Sequence, residues 1–199
     1  MLYLRQLLNE IKQGNIKTAY SHQTLIDEAR GILEADCSAL AEYWLQQAHP
    51  RALAEIYAYI NQVRDVKKYR IERLYSFDFY DFFCELSKTG SSSWDVVNWQ
   101  QRLQAGDLLA LVNRSPQHRW GHIAIITDEL ARTENMLRLR VIDSSRTQHF
   151  DDWRQSVKMG IGEGVIELYF TGNELQNVCY AKECIKPRAA QIGRLKGLK

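Results

Sequence analysis

Apolar residues recur at helical spacing through the first third of the chain. Leu4, Leu7, Leu8 and Ile11 fall on one face, and Gly14 follows where such a helix would stop. The same spacing predicts a second helix from Thr24 to Leu33, with Leu25, Ala29, Ile32 and Leu33 turned inward. A third begins at Cys37, where Cys37, Leu40, Ala41, Trp44 and Leu45 share a face and Asp36 stands at the capping position. Residues 50–104 read as further helical material, with an aromatic run from Tyr75 to Phe83 and a Gly90–Ser93 loop. The pattern changes at Gly106. Segments 107–112, 122–127, 136–142, 165–170 and, more weakly, 190–195 carry short apolar or alternating runs, the signature of strands. Helices followed by consecutive strands indicate an α+β domain with a mainly antiparallel, five-stranded sheet.

Composition narrows the class. The chain has 199 residues, 45% hydrophobic and 25% charged, which suits one globular domain over residues 1–199 and excludes intrinsic disorder. The net charge is +2, so neither nucleic acid nor an anionic membrane is expected as a partner. Arg5 and Glu10 interrupt the first segment, which therefore does not read as a secretory leader, and every uncharged apolar run falls well short of the ~20 residues of a membrane span. Four scattered cysteines do not form a secreted disulfide framework. The expectation is a soluble protein of a reducing, cytoplasmic compartment, and export by a signal-less route would leave no mark.

Three residues carry candidate chemistry. Cys37 opens a helix, where the macrodipole and free amides favour a thiolate and can hold a developing oxyanion. The competing reading is a small apolar residue in the core. His122 follows Trp120-Gly121 at the start of the strongest strand, a rigid place for the base a thiol needs; taken alone it reads more readily as a hydrogen-bonded structural histidine. Asp143 closes the next strand. If the two strands form a hairpin, it lies beside His122 and can fix the imidazole. His149 and Asp151 compete for that third role, and strand pairing favours Asp143.

Asp36-Cys37-Ser38 at a helix start, then Gly106-Asp107-Leu108, Gly121-His122-Ile123 and Val141-Ile142-Asp143 form an order that resembles the NlpC-type papain-like cysteine peptidases. The resemblance covers residues 30–46 and 104–145. It implies a papain-like domain with the nucleophile at a helix N-terminus packed on the sheet, and a helical insertion over residues 48–104. It further implies Cys37 as nucleophile, His122 as base and Asp143 where relatives place His, Asn or Gln. Ser38 and Trp120 would lie at the cleft rim, and Tyr20 would stand as the oxyanion-side tyrosine. Neither a metal nor a cofactor is implied. The substrate would be a peptide or peptidoglycan-like amide. Ala39 departs from the glycine usual there, and the aromatic run expected upstream of the cysteine is missing.

Two alternatives stay open on the same residues. One is an acyltransferase or lipid amidase using the same thiol. The other is a non-catalytic interaction protein docking through the Tyr75–Phe83 aromatics, which otherwise plug the inserted helices onto the core. Cys179 and Cys184 read as structural or incidental thiols rather than metal ligands. Gly160-x-Gly162-x-Gly164 reads as a flexible turn beside the sheet rather than a phosphate loop.

Overall fold

A computed structural model describes residues 1–63, 73–114, 119–154, 159–187 and 189–197, and of Arg114, Arg119 and Trp120 the backbone alone. The first helix, α1 (Leu2–Lys12), forms as its spacing requires, burying Leu4, Leu7 and Leu8. The predicted second helix does not form. Its residues make β2 (Leu25–Asp27), a single 3-10 turn at Glu28–Arg30, and β3 (Ile32–Glu34). Asp27 accepts a hydrogen bond from the Arg30 amide, and Gly31 then turns the chain with φ +64°. A Cβ at Gly31 would stand 2.5 Å from the Asn15 carbonyl oxygen. Pairing overrides helical spacing here: β3 lies between β1 (Lys17–Ala19), to which it is parallel, and β2, to which it is antiparallel.

Three helices follow: α2 (Cys37–Ala48), α3 (Pro50–Val63), which has proline at its first position, and α4 (Ser76–Thr89). The aromatic run falls on α4. Phe79, Phe82 and Phe83 enter the core, with Phe83 5.3 Å from the buried Trp94 ring, so most of the run cannot serve as a docking face. Residues 64–72 of the expected insertion lie outside the described residues, and its end is a strand, β4 (Trp94–Val97).

The five-stranded papain-like sheet expected from the sequence is wrong. The remaining strands are β5 (Leu108–Arg114), β6 (Arg119–Arg132), β7 (Met136–Ser145), β8 (Gly160–Thr171), β9 (Glu174–Cys179), β10 (Cys184–Ile185) and β11 (Ala189–Leu195). With β4 they form one eight-stranded antiparallel sheet in the order β10-β9-β8-β7-β6-β5-β11-β4. The additional strands are short or weakly alternating and become strands through their partners. The last, β11, inserts between β5 and β4, a long-range pairing that no local pattern announces. Gly193 on β11 lets the Phe83 ring approach to where a Cβ would stand, at 2.2 Å.

One sheet face packs on the helices: Leu108, Ala110, Ile123, Ile125, Ile142 and Ile161 join α1–α4 in one apolar cluster. The alternate residues, among them Leu109, Leu111, Ala124, Ile126, Val141 and Ile166, form a second cluster. Trp99, just after β4, meets Phe170 of β8 at 5.0 Å, so the sheet curls over this second face. Among the described residues no helix is long and apolar enough to cross a membrane.

Candidate active site

The site begins at a buried helix cap. Asp36 precedes α2 in extended conformation, and one oxygen accepts from the Ala39 amide at 3.0 Å, the ordinary N-cap bond. Ser38 Oγ donates to that oxygen at 3.0 Å; the other accepts from Arg73 Nη2 at 2.6 Å and lies 3.1 Å from His22 Nδ1. Burial pushes the Asp36 pKa up, but the Ala39 amide, Arg73 and His22 together hold it below the ordinary carboxylate value. Ser144 Oγ, on β7, donates to the Ala35 carbonyl at 2.5 Å and ties this cap to the sheet. Cys37 therefore stands at the first position of α2, 7% exposed. With Ala39 capped, the Cys37 and Ser38 amides have no acceptor among the described residues. Ser38, expected at the cleft rim, is instead buried and directed onto Asp36.

The sheet supplies the second half. Antiparallel pairing of β6 with β7 carries Ile125 opposite Ile142 and so brings His122 next to Asp143. His122 Nε2 donates to Asp143 Oδ2 at 2.6 Å. The Cys37 side chain also acts on this ring, both electrostatically and as a hydrogen-bond partner. Burial works against the charged imidazole, yet Cys37 and Asp143 outweigh it and push the His122 pKa up to about 10.

Asp143 is held from three sides. Arg154 Nη1 donates to its Oδ1 at 3.1 Å, and His149 Nε2 lies 2.9 Å from Oδ2, though off the line of a good hydrogen bond. Burial opposes ionisation, but His149 and His122 keep the Asp143 carboxyl well below the usual range. Behind it, Arg154 Nη2 donates to His149 Nδ1, and Asp152 takes Arg154 Nε at 2.9 Å on each oxygen. A guanidinium can only donate, so in this contact Nδ1 accepts, while Asp152 Oδ2 lies 3.4 Å from the same nitrogen. Burial and Arg154 oppose further protonation of His149, while Asp143 and Asp152 raise its pKa. Of the three candidates for the third role, Asp143 touches His122, His149 stands behind Asp143, and Asp151 is exposed, 3.2 Å from Arg138.

The glycine run is the floor of this network. Gly160, Gly162 and Gly164 all lie within β8, not in a turn, and β7 pairs Asp143 with Gly162 and Val141 with Gly164. A Cβ at Gly162 would stand 2.4 Å from Arg154 Cδ, and one at Gly164 2.5 Å from His149 Cβ. Period-two glycines thus clear one face of a strand so that Arg154 and His149 can lie flat on it.

A cleft of about 230 Å³ opens beside His122, lined by Tyr20, Arg146, Thr147, Tyr180 and Glu183 among others. Burial first, and then the Cys37 side chain, push the Tyr20 pKa up to about 12. Tyr180 meets the His149 ring edge-on at 5.2 Å, and burial with the Asp143 and Cys37 charges raises its pKa. The backbone of Trp120 pairs with Asn113, and its side chain lies outside the described residues. Cys179 and Cys184 are joined as a disulfide that closes the β9–β10 hairpin carrying Tyr180 and Glu183.

Ligand atoms of His122, Asp143 and His149 lie within 4.8 Å of one another, close enough for a metal. Arg154 touches both Asp143 and His149, however, and its fixed positive charge opposes a divalent cation there. The set fits a hydrogen-bonded relay better. Sequence reasoning missed His22, Arg73, Asp152, Arg154 and Tyr180. The available signal was the polar stretch from His149 to Arg154 followed by glycines at period two. No family model, curated protein or solved structure matches the chain.

Proposed function

We propose that this protein is a thiol-dependent hydrolase that cleaves an amide bond. The observation that carries the reading is the imidazole of His122, set between the Cys37 side chain and the buried carboxylate of Asp143. With its pKa at about 10, His122 already holds the proton at pH 7, so Cys37 Sγ attacks the carbonyl carbon as the thiolate of a thiolate–imidazolium pair. The C–N bond then breaks, the leaving nitrogen takes that proton, and a thioester remains on sulfur. Water, deprotonated by the now neutral imidazole, attacks the thioester; the acid departs, sulfur leaves as the thiolate, and the proton stays on His122. The Cys37 amide and the Tyr20 hydroxyl are the donors available to the oxyanion. Asp143 orients the ring and balances its charge. The motif order that resembles NlpC-type peptidases supports the same roles and a peptide or peptidoglycan-like substrate, independently of the sheet, which is larger than that resemblance implied.

The test is alkylation by iodoacetamide at pH 7, followed by peptide mapping. Cys37 is expected to react ahead of the half-buried Cys84, and His122→Ala to slow Cys37 about 100-fold, the usual size of a lost general base. Labelling of Cys84 with Cys37 inert would overturn the proposal.

A further inference from the structure

The cleft beside His122 has two charged walls that do not neutralise each other. Arg146 directly follows β7, three residues beyond Asp143, and is exposed. Its guanidinium lies on the Tyr20 ring, 4.7 Å from the centroid, and no carboxylate pairs with it among the described residues. Tyr20, Arg146 and His122 line one cleft, so Arg146 is a cation beside the proposed base. On the other wall Glu183 accepts from Thr147 Oγ1 at 3.0 Å. The disulfide, the Tyr180 amide on the Glu183 carbonyl at 2.8 Å and the Ala181 amide on the Gln148 carbonyl at 3.1 Å hold its hairpin in place. Glu183 therefore lines the same cleft without reaching Arg146.

An arginine with one face on an aromatic ring is partly dehydrated and keeps its donor edge free, the arrangement that takes a carboxylate in two parallel hydrogen bonds. A neutral substrate would leave that edge unused. We propose that Arg146 makes the cleft selective for amide substrates bearing a carboxylate close to the scissile carbonyl. This rests on the thiol-hydrolase reading, and it adds the substrate class. Glu183, opposite, accepts an N–H from the substrate and disfavours a second anion.

Iodoacetate and iodoacetamide differ by one charge at nearly equal size, and both transfer a two-carbon group to sulfur with loss of iodide. The readout is the ratio of their second-order rates at Cys37 within each variant. Arg146→Gln is expected to lower the iodoacetate-to-iodoacetamide ratio about tenfold, the size of one charge-assisted hydrogen bond. Arg146→Lys should keep most of it, and Glu183→Gln should raise it. The wild-type preference should shrink between 20 mM and 500 mM salt, since the cation is near the surface. A ratio unchanged in Arg146→Gln, with iodoacetamide still modifying Cys37 first, would overturn this proposal and leave the thiol reading standing. A Cys37 inert to both reagents would remove the thiol reading, and this proposal with it.

Discussion

Asp143→Asn keeps the shape of the site and removes one charge from its centre. In the wild type that carboxylate faces His122 at 2.6 Å, His149 at 2.9 Å and Arg154 at 3.1 Å, and is 1% exposed. Breaking a buried charge pair costs about 3–5 kcal/mol when the partner is left uncompensated. Arg154 keeps Asp152, with contacts of 2.7–2.9 Å, so the lower end of that range applies. For a domain of this size that is a fall in Tm of about 6–12 °C. The sign with pH follows from two shifts. His122 is raised to about 10 from an ordinary 6.5, so its contribution is full below pH 6.5 and is lost as pH rises through 10. Asp143 is depressed, so its contribution is present above about pH 4 and is lost as pH falls through its folded value. Melting temperature followed from pH 3 to 10.5 should therefore show a plateau that falls at both ends, and Asp143→Asn should lower the plateau and flatten both limbs. In the same variant the iodoacetamide rate at Cys37 at pH 7 should drop about 100-fold. The reasoning fails if Asp143→Asn melts within about 2 °C of wild type and keeps its rate–pH profile while His149→Ala loses both.

Two further outcomes follow from neighbouring contacts. Gly162→Ala places a methyl 2.4 Å from Arg154 Cδ and 2.6 Å from its Nε, so it should destabilise by about 1–3 kcal/mol and slow Cys37 alkylation; Gly172→Ala, with open space but φ +58°, should cost stability alone. Asp36→Ala removes the cap of α2 and the partner of Arg73, and chemical denaturation should report a loss of about 2–4 kcal/mol, with Asp36→Asn recovering the capping part.

Residues acting through immediate neighbours were legible in the sequence. Asp36 caps α2 because its oxygen reaches an amide three residues on, and Cys37 consequently opens that helix, as capping chemistry dictates. The β6–β7 hairpin was likewise readable from two apolar runs, and with it the approach of Asp143 to His122. The periods failed where pairing competed with them. Residues 24–33 carry helical spacing, yet three-residue strands form because β1 and β2 are there to satisfy the β3 backbone.

By itself, then, the sequence determined the helix start with its cysteine, the strand that bears the histidine, the carboxylate beside it, and the α+β class. Each depends on spacing, capping or an adjacent hairpin, all of which are properties of nearby residues. Only the tertiary structure decided that the sheet has eight strands and that β11 enters between β5 and β4. It also decided that Gly162 and Gly164 of β8 make room for Arg154 and His149 beneath Asp143, and that Arg73 and His22 close on Asp36. Those contacts join residues far apart in sequence or on separate strands. They depend on register, because a slip of one residue in β8 would turn its glycines to the other face and leave side chains where Arg154 and His149 lie.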